Sequence, residues 1–260
     1  MKEYLEFAKK IAYEAGKIML KYFNAKDISS YKGDKTIVTL ADKEINTYLI
    51  NRVKEKFPAH SVDGEEEQFG NSDYVWVCDP VDGTAMYARH IPVAVFSLAL
   101  VVNGESKVGV VYDVFTDTLY SAIKGEGAYK NGEKITVNDY ELNDMRSVSN
   151  FDMWPEAEYG LYDSIKELGK KTYFVSVGSV IRGCMCVASG EFNLAIFPGT
   201  KRKNCDIAAV KVIVEEAGGK VTNLFGEEQR YDTDIKGAIV SNGKVQEEVV
   251  EIIKQKLNRI

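Results

Sequence analysis

Histidine is nearly absent: His60 and His90 are the only two in 260 residues. That excludes a histidine-built zinc hydrolase centre, so any metal here has to rest mostly on carboxylates. Carboxylate oxygen is a hard donor that favours magnesium, manganese or calcium over zinc or copper. Cysteine is scarce too. Cys78, Cys184, Cys186 and Cys205 include no C-x-x-C pair, which rules out a disulfide framework and leaves buried thiols in a reducing compartment. Long apolar runs are missing, and none reaches the ~18 residues of a membrane span. Met1 to Glu6 carry acids where a secretory leader has bases followed by an apolar stretch. The expectation is a cytoplasmic protein with no membrane partner. Positive charge is in deficit: 33 lysines and arginines face 39 acids, for a net charge of −6. That balance argues against nucleic acid or an anionic membrane as a general partner.

What is present is ordinary globular material. Hydrophobic residues make up 45% of the chain, enough to support a packed core and exclude disorder. A chain of this length buries roughly three quarters of its unfolded surface. One large unit, or two closely packed halves, fits the length. The one soft boundary lies near 142–146, dividing a single unit of 1–260 into halves of about 1–144 and 145–260.

Residues 4–23 read as an amphipathic helix, with Leu5, Ala8, Ala12, Ala15, Met19 and Tyr22 on one stripe. A polar loop over 26–36 leads to a second helix over 41–56, ended by Pro58. Strand-like segments follow at 74–78, 94–102, 107–112 and 118–122, with turns such as Asn103-Gly104 between them. The run from Gly125 to Gly132 has Lys130 where a dinucleotide fingerprint needs its third glycine, and reads as a hairpin. The second half alternates. Helices are expected at 156–169, from the Ser179 cap to Ser189, from Asp206 to Ala217, and over 245–257. Strands are expected at 173–177, 191–197, 220–223 and 238–241.

The chemistry concentrates in Trp76-Val77-Cys78-Asp79-Pro80-Val81-Asp82-Gly83-Thr84. An apolar strand delivers two carboxylates three residues apart at its C-terminal end, where open α/β sheets place their ligand crevice. Pro80 stiffens the turn and Gly83 permits unusual torsions. Asp79 and Asp82 can face one cation or bridge two, and Thr84 offers a hydroxyl. A helix starting near Gly83-Thr84 would present free N–H groups to a phosphate. Three further blocks gain weight only beside this one. Asp63-Gly64-Glu65-Glu66-Glu67 is otherwise a solvated acidic loop. Asp42, after Val38-Thr39, is otherwise a helix N-terminal acid. Asp206, in Asn204-Cys205-Asp206-Ile207-Ala208-Ala209, is otherwise an N-cap.

Together and in this order, these blocks resemble the inositol monophosphatase family of lithium-sensitive, magnesium-dependent phosphatases. The resemblance spans about residues 1–255 and includes Gly127-Ala128-Tyr129 and Asn131-Gly132. It implies a layered αβαβα fold of the inositol monophosphatase and fructose-1,6-bisphosphatase type, and a homodimer. It implies two to three Mg2+ ions, with Mn2+ able to substitute, and a small phosphorylated substrate. By the resemblance, Glu65, Asp79 and the Val81 carbonyl hold the activating ion. Asp79, Asp82 and Asp206 hold the ion facing the leaving group, and a weaker third touches Glu65. Asp42 and Thr84 position the attacking water with Glu66 in support. The Gly83 and Thr84 amides bind phosphate, and Gly178-Ser179-Val180 line the substrate. Phosphoryl transfer needs charge neutralisation and an in-line nucleophile, and no histidine base.

The sequence departs from the family in three places. Cys205 stands where the family has tryptophan. Gly199 stands where inositol-specific members place an acid that binds sugar hydroxyls. Arg182 replaces an aliphatic residue, and Lys201-Arg202-Lys203 makes the adjoining loop basic. Extra positive charge, with Lys201 as a substrate contact, suggests a second anionic group, as in fructose 1,6-bisphosphate or 3′-phosphoadenosine 5′-phosphate. The block Lys32 to Asp42 also resembles histidinol-phosphate phosphatases. Two rivals differ in class. An aspartyl-phosphate enzyme of the haloacid dehalogenase type needs D-x-D, whereas two residues separate the aspartates here. A non-catalytic RNA-associated module would have lost metal ligands, and none is missing.

Overall fold

The computed structural model describes residues 1–25, 29–31, 37–152, 157–199 and 203–259. The first half supplies α1 (Lys2–Phe23), the antiparallel pair β1 (Ser29–Tyr31) and β2 (Ile37–Thr39), and α2 (Leu40–Lys56). It continues with β3 (Ser61–Gly64), β4 (Gln68–Phe69), β5 (Tyr74–Asp82) and the single turn α3 (Thr84–Tyr87). Then come β6 (Val95–Val102), β7 (Glu105–Asp113), β8 (Thr118–Ile123), β9 (Ala128–Lys130) and β10 (Glu133–Lys134). The second half supplies β11 (Val148–Phe151), β12 (Tyr159–Gly160), α4 (Tyr162–Leu168), β13 (Tyr173–Val175) and α5 (Val180–Ala188). It closes with β14 (Leu194–Phe197), α6 (Asn204–Glu216), β15 (Lys220–Thr222), β16 (Ala238–Ser241), α7 (Gln246–Lys256) and β17 (Asn258–Arg259).

Two sheets organise these elements. One has eight strands in the order β10-β9-β8-β7-β6-β5-β3-β4, the other five in the order β13-β11-β14-β16-β15. Period-two alternation explains how each sheet is covered on both faces. In β6, Phe96, Leu98 and Leu100 pack with α1 and α2, whereas Val95, Ala99 and Val101 pack with α5 and α6. In β14, Ala195 and Phe197 face that same middle layer, while Leu194 and Ile196 join Leu161, Leu168, Val249 and Ile253 beside α4 and α7. The layers therefore run helix, sheet, helix, sheet, helix, which is the expected αβαβα order. The middle helices touch both sheets, and small residues permit it: Ala208 and Ala209 of α6 are fully buried.

Several expected bounds move. The helix placed at 156–169 is only Tyr162–Leu168. Tyr159 and Gly160 instead pair with Asn258 and Arg259, because glycine weakens a helix and Tyr159 is claimed by the outer core. Of the polar loop at 26–36, Ser29–Tyr31 is a strand. The strand ending at Cys78 runs on to Asp82. α6 starts at Asn204 with Lys203 as its N-cap, so Asp206 is not the cap. His60 accepts a hydrogen bond from the Trp76 indole at 3.2 Å and stacks on Phe57 and Tyr74. Trp154 lies outside the described residues.

Candidate active site

Register brings the acids together. β3 and β5 run parallel with Gly64 opposite Cys78, so the next residues, Glu65 and Asp79, leave the sheet side by side. The Glu65 amide donates to the Cys78 carbonyl at 3.1 Å. Residues three apart on a regular strand face opposite sides. Between Asp79 and Asp82, however, the pairing with β6 slips: Asp79 is opposite Ser97 and Asp82 opposite Val95. The one extra residue is a bulge at Pro80-Val81, where proline has no ladder N–H to lose. The bulge returns Asp82 to the side of Asp79. Asp206 reaches both from the first turn of α6.

Asp82 also joins the two halves of the chain. Its Oδ2 accepts from the Ser179 hydroxyl and, at 2.8 Å, from the Ile181 amide at the start of α5. Ser179 in turn accepts from the Arg182 amide as the α5 N-cap. Ser179, expected to line the substrate, also fixes this carboxylate. Gly83 makes the approach possible, because with φ 88° it sits so near the Gly178 carbonyl that a Cβ would stand 2.9 Å away. Asp152 fixes the same loop, accepting from the Ser176 hydroxyl and the Asn150 side chain. Ser179→Ala should cost about 1 kcal/mol of stability through the lost cap. It should also weaken Mg2+-dependent turnover about 10- to 100-fold, as loss of a residue orienting a ligand does. Thermal melts and phosphate release read the two effects separately.

Asp42 sits fully buried at N3 of α2 in a capping box: its Oδ2 accepts from the Thr39 amide and hydroxyl. Its Oδ1 has no partner although it is buried. Asp42, Glu65 and Glu66 bring carboxylate oxygens within 4.8 Å of one another, and the Asp79 and Asp206 carboxylates with the Cys205 sulfur form a second group as close. The Thr84 hydroxyl donates to the Val81 carbonyl at 2.8 Å rather than to Asp42. Asn46, one turn after Asp42, was not anticipated. It is buried, and its amide donates to the Glu67 carbonyl while its oxygen receives the Glu66 and Glu67 amides. The available signal was a polar side chain on the same helical face as Asp42, Ile45 and Leu49.

The basic residues behave differently from expectation. Arg182 binds Asp113 at 3.2 Å and the Pro92 carbonyl, so its charge is spent between secondary-structure elements. Lys203 turns onto the acids, 3.0 Å from Glu65 Oε1 and 3.7 Å from Asp206 Oδ1. Lys201 and Arg202 lie outside the described residues. Cys205 is buried and its thiol donates to Asp206 at 3.4 Å. Gly199 has a steric reason: with φ 77°, a Cβ there would meet the Gly237 nitrogen at 2.4 Å. No acid can occupy that position without moving the backbone.

Burial drives the electrostatics. It pushes the Asp79 carboxyl well above the usual range, and Glu65, Asp206 and Asp82 add to the push. Burial and Asp206 raise Asp82 to about 7 against the bonds from Ser179 and Ile181. Burial raises Asp42 to about 7 despite its bonds to Thr39. Asp206 is also raised by burial, and Asp206 Oδ2 is a second buried oxygen with no partner. Crowded, desolvated acids with unused oxygens and no neutral imidazole among them fit a hard divalent cation. A pH dependence follows for the ion-free protein. Unfolded, Asp42 and Asp82 lose their protons near the ordinary 3.8; folded, they keep them until about 7. Their stabilising contribution is whole below the unfolded value and is lost as pH rises through about 7. In chelator, Tm should fall by about 5 °C between about pH 5 and pH 8. Saturating Mg2+ should shrink that fall, and Asp42→Asn should flatten it.

The sequence profile of the inositol monophosphatase family matches residues 1–258. The chain belongs to that family. Family members are phosphatases that hydrolyse phosphate monoesters and depend on metal ions. Among relatives, a "fructose-1,6-bisphosphatase/inositol-1-monophosphatase" of Thermotoga maritima is 32% identical over 260 residues, covering 98% of each chain. A protein of the same description from Aquifex aeolicus is 36% identical, covering 87% of this chain and 88% of its own. Among solved structures, an IMPase of Thermotoga maritima superposes with a TM-score of 0.86 at 30% identity, covering 97% of each chain. Like its family, this chain has a mixed fold of two sheets with helices between and around them. No helix among the described residues is long and apolar enough to cross a membrane.

Proposed function

We propose that this family member is a magnesium-dependent phosphomonoesterase of small polyol or sugar phosphates, acting by direct attack of water. The observation that carries the proposal is the convergence of the buried Asp79, Asp82 and Asp206 and the partly buried Glu65, from three separate stretches, into one acidic cage. Bound there, two or three Mg2+ ions, or Mn2+ in their place, would neutralise phosphate charge and make water a better nucleophile. Glu65, Asp79 and the Val81 carbonyl are assigned to one ion, and Asp79, Asp82 and Asp206 to another, with a third at Glu65. Asp42 directs its unused oxygen towards the water and Thr84 orients it, with Glu66 completing the acidic side. The Gly83 and Thr84 amides hold the phosphate, and Gly178, Ser179, Val180 and Lys201 line the organic part beside Asp206.

The chain acts as one catalytic unit, cytoplasmic and dimeric, with halves of about 1–144 and 145–260. Three buried thiols outside any disulfide suit a reducing compartment. A second substrate reading, a doubly anionic ester such as fructose 1,6-bisphosphate, draws support from the two relatives whose names carry both activities. Arg182 no longer supports it, being held by Asp113. Phosphate release with Mg2+ from inositol 1-phosphate, fructose 1,6-bisphosphate, histidinol phosphate and 3′-phosphoadenosine 5′-phosphate separates these readings by kcat/KM. Failure on the whole panel would refute the phosphomonoesterase.

A further inference from the structure

Lys203 is the N-cap residue of α6, and its ammonium, having no acceptor, cannot cap the free N–H groups. Its stem instead folds inwards, leaving the side chain only 18% exposed, and its ammonium lies between Glu65 and Asp206. Those two carboxylates come from opposite sides of the site, one beside β3 and one from α6. The ammonium therefore bridges them as a cation would. Its charge also acts on the Asp79 and Asp82 carboxylates, against the push of burial and neighbouring acids. Four acids desolvated together repel one another, and burying them without a counter-charge is costly.

We propose that Lys203 is a tethered counter-cation that holds the acidic cage together in the ion-free protein and is displaced when a divalent ion enters. The proposal rests on the metal-site assignment above and adds a competitor to it. Magnesium takes carboxylate oxygens at about 2.1 Å and manganese much the same, so an ion seated on Glu65 or Asp206 would stand almost against the ammonium. Two cations cannot share that space without strong repulsion. The lysine, tethered only at the start of α6, has a four-carbon stem on which to swing away. The exchange makes and breaks only ionic contacts: the ammonium gives up Glu65 Oε1 and Asp206 Oδ1, and the ion takes them.

The consequence is opposite in sign to that of an ordinary site residue, because removing Lys203 should improve ion binding. Mn2+ titration, followed by the loss of free-ion EPR signal, is the measurement, on wild type, Lys203→Met and Lys203→Gln. Both variants should bind Mn2+ about tenfold more tightly, the equivalent of one charged hydrogen bond no longer broken. Their ion-free Tm should fall, and the rise in Tm on adding Mn2+ should be larger than in wild type. Equal or weaker Mn2+ affinity in both variants would overturn the proposal, even if their Tm falls. Wild type that binds no Mn2+ would instead sink the metal-site assignment itself. A third readout needs no variant. Acetylation of the Lys203 amine, mapped by mass spectrometry, should be faster with saturating Mn2+ than in chelator, where ordinary ligand protection would slow it. An unchanged or slower rate would count against displacement.

Discussion

Asp79→Asn should abolish turnover and yet make the ion-free protein more stable. The carboxylate touches both groups of ligands assigned above, so its loss should lower kcat about a thousandfold or more, in the range seen when a preorganised electrostatic contact is removed. The stability gain follows from its surroundings. Burial, then Glu65, Asp206 and Asp82, all oppose charge at this position. Asparagine removes the charge while its oxygen can still accept the Val81 amide, which bonds Asp79 Oδ1 at 3.0 Å. The backbone bulge should survive. Phosphate release together with a chelator-treated thermal melt checks both halves of the claim. Near-wild-type turnover by the purified variant would remove Asp79 from the mechanism.

Thr84→Ala should lower kcat by about a hundredfold or more and leave the fold intact, as expected when a group that orients the nucleophile is lost. The side chain is partly exposed, on a single-turn helix, and its hydroxyl makes one bond, to the Val81 carbonyl. That carbonyl is itself assigned to an ion, so the hydroxyl links ligand and water. Losing one such hydrogen bond should change stability by about 1 kcal/mol. Mn2+ affinity close to wild type with kcat collapsed would place Thr84 on the water. Equal losses in affinity and kcat would place it on the ligand.

The D-P-V-D-G-T string announced the acidic pair because chemistry and backbone coincide in six residues. The bulge that aligns Asp79 with Asp82 was hinted at only by Pro80. The long apolar strands, with β14 inside the expected 191–197, followed from their runs of apolar side chains, which is a local property. β3 escaped because Ser61-Val62-Asp63-Gly64 holds one large apolar side chain and becomes a strand by pairing with β5. β11 escaped for a related reason, since Ser149 and Asn150 are buried polar residues in the interior of a sheet. Asn46, Asp152 and the inward turn of Lys203 were invisible because each is defined by a partner far along the chain. Arg182 and Lys203 show the same limit in reverse: both looked like charge for a substrate, and both are answered by acids of the protein.

The link from Asp82 to Ser179 and Ile181 bears on how substrate enters. Many two-part enzymes admit a ligand by swinging their halves about a hinge and clamping down on it. Here such a swing would tear a carboxylate of the acidic cage from the two groups that aim it. The cleft walls are therefore fixed by the same contacts that arm the site. Entry that spares these contacts would leave the relative pose of the two sheets in place and move only segments at the cleft rim.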